Sequence, residues 1–537
     1  MPSLADKNPE VTTESDPTND ITIGQDAVNN EIAPTLADQR LLLFSIFIIA
    51  GCSLIYELLI SSLSTYLLGS GVVHYSVTIG LFLFFMGVGA WLAQYRRTKL
   101  LEGFIQIEIA LGLIGGLSAV ILYAVYAWSQ YYYPAMLIVI AMISTMVGME
   151  IPLLTRVIEK SRGIRQGLSD VLATDYVGAL IASLLFPFIL LPYLGHLLTA
   201  FAIGAVNLLV ALLVVWHFRK RLKQSWKLLS IAVAAVASLV IASQFTHTFT
   251  GILERSLYQD PVVFSTQSKY QKIVVTQRGR DLRLFLNGSL QFSSIDEYRY
   301  HESLVHLPAT HSRELERVLI IGGGDGLAAR EVLRYPSIKE IALVDLDPEV
   351  TNLGRDLDKL KKMNNLALHD PRVEVFNDDA WRWLEQDGDL FNVIIIDLPD
   401  PDTADIARLY TVEFYRKVAR RLSVGGVMIT QASSPWLQRN AFWCVASTLD
   451  SVFESTQAVY SNIPSFGPWG YVMASNTPFT QQRKFPEATR YLTEANWKFA
   501  LQHPNDLPPL VLPVNKLQTL PLMQFYAEGY QALQNGE

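Results

Sequence analysis

Charge is what this sequence has least of. Only 17% of its 537 residues are Asp, Glu, Lys or Arg, against roughly 25% in soluble domains. The shortfall falls between residues 40 and 250, which excludes an ordinary soluble protein. Cysteine is nearly missing too. Cys52 and Cys444 are the only two, too few for a disulfide framework or a thiolate-rich metal site, and no metal is expected. Nor is there a basic excess: a net charge of −7 excludes the positive face that nucleic-acid binding requires.

What is present is apolar, with 50% hydrophobic residues. Residues 1–39 stand apart, carrying eight acids and one lysine. Such a segment cannot offset its ordering entropy by burial, so it reads as a disordered acidic tail. It lacks the basic start and apolar core of a signal peptide. Seven apolar stretches follow, near 41–63, 74–94, 104–127, 133–155, 171–192, 196–217 and 228–246. Each is about twenty residues, enough to cross a bilayer core of roughly 30 Å. Residues 40–250 therefore read as a transmembrane domain of about seven helices, with the lipid bilayer as a partner. Gly80, Gly87 and Gly89 in the second stretch, and Gly112, Gly115 and Gly116 in the third, suit close helix contact.

The basic residues orient these spans. Arg96, Arg97 and Lys99 follow the second; Arg156, Lys160, Arg162 and Arg165 follow the fourth; Arg219, Lys220, Arg221, Lys223 and Lys227 follow the sixth. Loops after the first, third and fifth carry neither Lys nor Arg. The N-terminus and the even loops thus belong in the cytoplasm, and seven spans leave the rest outside. Four acids, Glu57, Glu108, Glu150 and Asp175, sit in or beside the spans, either as a cation-binding vestibule or as interfacial groups solvated by headgroups or hydrogen-bonded to neighbouring helices.

From about 262 the pattern changes. Val262–Phe264, Lys272–Thr276 and Leu282–Leu286 read as strands, with Asn287-Gly288 as a hairpin turn, so 251–315 is expected to be a small antiparallel β domain. Strands then alternate with helices over 316–480. Val318–Ile321 runs into Gly322-Gly323-Gly324-Asp325-Gly326, and further strands end at Asp345, near Asp378-Asp379 and at Asp397, with another over Gly426–Thr430. That alternation means a Rossmann-like, doubly wound parallel sheet with ligands at its strand C-termini. The fold class expected is therefore a multi-span helical membrane domain followed by α/β.

The glycines permit close approach of a ligand at a helix N-terminus. Asp345, about twenty residues on, is placed to accept ribose hydroxyls. Alone this says nucleoside or nucleotide, and Gly324-x-Gly326-x-x-Ala329 also permits a dinucleotide. Asp325 inside the loop would repel a pyrophosphate or carboxylate and welcome a cation. Asp397 and Asp400 close the same cleft, so the ligands expected are polycationic. Asp347 and Asp402 read equally well as helix-cap and turn residues.

Together these residues resemble the spermidine synthases, the polyamine aminopropyltransferases. The resemblance covers 258 to about 475. It rests on Tyr270-Gln271, Leu290-Gln291, Asp296-Glu297-Tyr298-Arg299-Tyr300-His301-Glu302, Ile320 to Gly326, Asp397 to Pro401, Leu409-Tyr410 and Glu413-Phe414-Tyr415. The multi-span half looks like the membrane-bound bacterial branch, implying an inner-membrane, multi-pass protein. By position, the family implies that Gln271, His301, Gly322, Gly324, Asp325, Asp345, Asp379 and Ala380 hold decarboxylated S-adenosylmethionine as cosubstrate, with no permanently bound cofactor. Gln291, Tyr300, Asp397 and Asp400 would hold a diamine, putrescine, with Asp397 as proton acceptor. Spermidine and 5′-methylthioadenosine would be the products, and homo-oligomers are expected.

Ala380, where Gly is frequent, is a small departure from the family pattern; Pro399, and Phe466 where a tyrosine is expected, bear on the acceptor amine. Readings from other classes are an S-adenosylmethionine-dependent methyltransferase, whose carboxylate-bearing cofactor Asp325 opposes, and a polyamine transporter or sensor. A cytosolic cosubstrate puts the catalytic half in the cytoplasm, against the span parity. The segment 481–537 is expected to pack on the catalytic domain.

Overall fold

A computed structural model describes residues 35–535 except 69–70, 97, 130, 163, 503–504 and 506. Most of the acidic tail read over 1–39 lies outside the described residues. Eight helices come first: α1 (Leu36–Leu68), α2 (Gly71–Leu92), α3 (Leu100–Trp128), α4 (Tyr132–Arg162), α5 (Ile164–Leu185), α6 (Leu191–Phe218), α7 (Ser225–Gln244) and α8 (Thr246–Leu257).

Among the described residues, six helical segments are long and apolar enough to cross a membrane. One of them, Leu168–Phe218, has 51 residues and takes in two of the apolar stretches, 171–192 and 196–217. At 1.5 Å per residue it would reach about 77 Å, over twice a bilayer core. Gly195, at φ 66° and ψ −175°, interrupts it. The two arms have different main neighbours, α1 for α5 and α3 for α6, and α6 also packs on α1.

Backbone contact at glycine sets the tightest crossings. A Cβ on Gly148 would lie 2.1 Å from Met86 O, and one on Gly89 2.0 Å from Thr145 O, so α2 and α4 touch along their backbones. Gly112 and Gly204 meet likewise between α3 and α6. Gly80 and Gly87 depart from expectation: nothing lies within 4 Å of a Cβ at either.

The second half opens with β1 (Val262–Gln267), β2 (Lys272–Arg278), β3 (Asp281–Leu286) and β4 (Ser289–Ser293), an antiparallel sheet in sequential order. Asn287 and Gly288 turn the β3–β4 hairpin with φ of 49° and 84°, the left-handed values its two-residue turn requires. Next come α9 (Glu297–His311), β5 (Arg317–Gly322), α10 (Leu327–Val332), β6 (Glu340–Val344), α11 (Pro348–Asp356), α12 (Asp358–Met363), β7 (Val373–Phe376), α13 (Ala380–Glu385) and β8 (Phe391–Asp397). The chain continues through α14 (Ala404–Ala407), α15 (Val412–Arg421), β9 (Leu422–Gln431), α16 (Arg439–Asp450), β10 (Ser455–Ile463), β11 (Gly467–Ser475), α17 (Glu494–Ala500) and α18 (Pro521–Asn535).

Strands β5 to β11 form one sheet in the order β10-β11-β9-β8-β5-β6-β7. Its β7 to β9 side is parallel, and the β10–β11 hairpin adds an antiparallel edge. Alternation along β5 divides the core between two faces. Val318 and Ile320 pack with Leu304 and Val305 of α9, while Leu319 and Ile321 pack with Phe414 and Val418 of α15. Helix α9 packs on the large sheet. Strand order reverses between β5 and β8, the position at whose C-terminal edge open α/β sheets bind their ligands. There Gly322 pairs directly with Asp397.

Candidate active site

The glycine loop lies where backbone must approach side chain. A Cβ on Gly322, at φ 83°, would sit 2.0 Å from Asp397 O, and one on Gly324 would sit 2.6 Å from Asp345 Oδ2. Only glycine lets β5, β6 and β8 end this close together. The Gly324 N–H donates to Asp345 Oδ2 at 3.0 Å, and the Asp347 N–H donates to Asp345 Oδ1 at 2.9 Å. Asp325 Oδ1 accepts from the N–H of Leu327, the first residue of α10, at 2.8 Å. Burial pushes the carboxyls of Asp325 and Asp345 up to about 6.

Tyr300 and His301 project from the first turn of α9. The Tyr300 hydroxyl donates to Asp397 Oδ1 at 2.7 Å, leaving Oδ2 towards Gly323, where a Cβ would meet it at 3.2 Å. Burial raises both the Asp397 carboxyl and the Tyr300 phenol above their usual ranges. His301 is buried, and its Nδ1 lies 2.8 Å from Glu297 Oε2. Burial alone would lower its pKa. The Glu297 carboxylate, helped by Asp325 and Asp397, instead pushes it up to about 9. Glu297 is held in turn by two bonds from Arg330, at 3.0 and 2.9 Å. The acid cluster therefore contains one buried imidazolium.

Asp400 is held by three side chains. Ser433 Oγ and Gln431 Nε2 donate to Oδ1 at 2.6 and 3.4 Å, and the Tyr526 hydroxyl donates to Oδ2 at 3.1 Å. Burial raises its pKa as well. Tyr526 comes from α18, which packs on α16, so the C-terminal segment reaches the site.

The remaining expected residues sit further out. Gln271 donates to Asp347 Oδ2 at 3.0 Å, and the same oxygen accepts from Ser268 Oγ at 2.6 Å. Asp347 also caps α11, so it joins the small sheet to the large one. Asp379 caps α13 through the Trp381 and Arg382 N–H groups and is ion-paired with Arg408. Ala380 is buried at the first position of α13. Gln291, half-buried on β4, donates to Ser289 O at 3.1 Å rather than to any of the carboxylates.

An aromatic wall completes the crevice. Phe466, in the β10–β11 turn, packs edge-on to Tyr300 with ring centres 6.3 Å apart and contacts Trp469 at 5.1 Å. Asp296 latches this turn to α9, accepting from the Ser465 N–H at 2.7 Å and its hydroxyl at 2.9 Å. Arg408, Gln431, Ser433, Trp469 and Tyr526 escaped the sequence reading. Gln431 and Ser433 stand at the end of β9, and the rule that ligands collect at such ends was the signal available for them. Tyr526 lies over a hundred residues from its partner, with no motif around it.

The assembly pairs a close-approach loop with four carboxylates, an imidazolium and aromatic walls. It suits ligands that are cationic, partly apolar and nucleoside-like. Residues 297–484 match the spermine/spermidine synthase domain. The chain is 38% identical over 488 residues to the polyamine aminopropyltransferase of Leptospira interrogans, covering 91% of this chain and 98% of that one. It is 41% identical over 484 residues to polyamine aminopropyltransferase 1 of Streptomyces coelicolor, covering 87% and 90%. Among solved structures, a spermidine synthase in complex with the transition-state analogue AdoDATO matches at 29% identity, with a TM-score of 0.43 over 46% of this chain and 86% of that one. By the extent of its likeness to these two relatives, which runs through both halves, the chain belongs to the polyamine aminopropyltransferase family.

Proposed function

We propose that the site transfers the aminopropyl group of decarboxylated S-adenosylmethionine to putrescine, giving spermidine and 5′-methylthioadenosine. The Tyr300–Asp397 hydrogen bond, at the sheet's switch point and beside the glycine loop, carries this reading. In it, Asp345 takes the ribose hydroxyls, Asp379 and Ala380 the adenine, and Asp325 the aminopropyl ammonium, with Gln271 and His301 closing the donor side. Tyr300, Gln291, Asp397 and Asp400 take the diamine.

The donor's sulfonium already activates its propyl carbon. The amine is the obstacle, because with a pKa near about 10.4 it is mostly protonated and has no free lone pair. Asp397 accepts a proton from the attacking ammonium group, and Tyr300 fixes the carboxylate for it. The nitrogen lone pair then forms the new C–N bond as the C–S bond breaks, its electrons returning to sulfur to leave a neutral thioether. Asp400, held by Ser433, Gln431 and Tyr526, anchors the other, still charged amine. Alignment of the two ligands supplies much of the acceleration. Incubating purified protein with putrescine and labelled donor tests this: labelled spermidine and methylthioadenosine should appear together. Methylated product from intact S-adenosylmethionine, with neither of these, would replace the reading.

We further propose that the helical half is embedded in the bacterial inner membrane as a multi-pass domain, with the catalytic half on the cytoplasmic side, where its donor is made. Six long apolar segments support the embedding. This orientation agrees with the basic loops when one apolar segment does not cross. A reporter fused to the C-terminus should give a cytoplasmic signal; an external signal would place the catalytic half outside.

A further inference from the structure

Glu108 of α3 and Glu150 of α4 lie inside the helix bundle, 0% and 5% exposed. Their carboxyls are within hydrogen-bonding reach of each other. Two charged carboxylates are not tolerated at that separation in an apolar interior. A positive charge must accompany the pair.

Independent atoms point to the same place. Asn207 of α6, fully buried, donates through Nδ2 to Glu108 Oε2 at 2.8 Å and to Glu108 O at 3.3 Å. Its amide is thereby turned to the pair, yet Asn207 Oδ1 has no partner. Glu108 Oε1 and Glu150 Oε1 have none either. Native interiors seldom leave such atoms unsatisfied. Here three helices contribute three acceptor oxygens, a set that lacks a cation.

The groups facing the pair supply no positive charge. They are Cys52 and Tyr56 of α1, Asp175 of α5 and the neutral Asn207 of α6. Arg156, further along α4, spends its guanidinium on Arg96 O and Ala93 O. Packing limits the size of any occupant. A Cβ on Gly112, one turn along α3 from Glu108, would lie 2.7 Å from Leu208 Cγ, so the helices are close-packed beside the pair.

We propose that Glu108, Glu150 and Asn207 form an exchangeable site for a small monovalent cation: a proton bridging the carboxyls, or a dehydrated sodium ion in its place. The site lies about 12 Å along α3 from Leu100. It gives the helical half a chemistry separate from aminopropyl transfer, because loading and release change the charge inside the bundle by one unit. Intramembrane acids in such settings mark ion and proton paths.

Infrared spectroscopy of the full chain in lipid nanodiscs reads this directly. The wild type should show a protonated-carboxyl band that the double variant Glu108→Gln, Glu150→Gln lacks, while aminopropyl transfer is retained. Loss of the band on replacing N-methylglucamine chloride with sodium chloride identifies sodium as the occupant. A band indifferent to sodium but lost as the pH is raised identifies the proton. If the double variant does not fold, Asn207→Leu must shift the wild-type band. The absence of such a band without any sodium response, or a band unmoved by sodium and pH alike, overturns the proposal.

Discussion

The Tyr300 hydroxyl donates to Asp397 Oδ1 at 2.7 Å, joining the first turn of α9 to the end of β8. Both groups are held from behind. Tyr471 packs on the Tyr300 ring at 5.5 Å, and Asp397 is in register with Gly322. The hydroxyl therefore sets the direction in which the free Asp397 oxygen points. Tyr300→Phe keeps the ring and removes that bond, worth about 1.5–3 kcal/mol to a charged acceptor. Turnover should fall about ten- to hundredfold in steady-state kinetics while donor affinity holds.

Donor binding should depend on pH through the glycine loop. Asp325 and Asp345 ionise near 6, so affinity for a cationic nucleoside rises as the pH rises through about 6. Stability runs the other way. Their folded values exceed the ordinary 3.8, so the native state holds more protons in that interval and loses stability as the pH climbs from about 4 to about 6. Calorimetric titration of decarboxylated S-adenosylmethionine across this range checks the first effect; a flat profile contradicts it.

His301 adds a second window. Its folded value of about 9 lies above the ordinary 6.5, so its contribution is complete below 6.5 and lost as the pH rises through about 9. Thermal unfolding of the wild type should weaken across that interval. The loss should be smaller in His301→Gln, which cannot form the charged pair with Glu297.

Tyr526→Phe should raise KM for the amine about tenfold and leave KM for the donor unchanged. It removes one of three side chains on Asp400, at a cost typical of a bond to a charged group. Equal effects on both substrates would mean that α18 only supports the fold.

Gly322→Ala should be among the most damaging single changes in the catalytic half. It combines a strained positive φ with a 2.0 Å clash against Asp397 O, at a cost of about 3 kcal/mol or more. Denaturant unfolding measures it.

The strands and the glycine loop were legible because buried β-branched runs ending in glycine or aspartate have few other structural meanings. Asn287-Gly288 announced its hairpin for a similar reason. Asp345 and Asp347 could be placed at the end of β6, but the exchange between them was hidden: one ties down the glycine loop, the other the small sheet. Gly80, Gly87 and Gly89 look alike in sequence, yet only Gly89 meets a neighbouring backbone, since which helix face is covered depends on partners elsewhere in the chain. Tyr526 and Arg408 reach the site through tertiary packing alone. Local pattern carries no trace of such contacts.

The central claim is that Asp397 takes the amine's proton, and Asp397→Asn tests it most directly. Asparagine retains an acceptor for the Tyr300 hydroxyl and gives up the base. Turnover should drop about a thousandfold, with the calorimetric Kd for decarboxylated S-adenosylmethionine close to wild type. Near wild-type turnover in this variant would contradict the account.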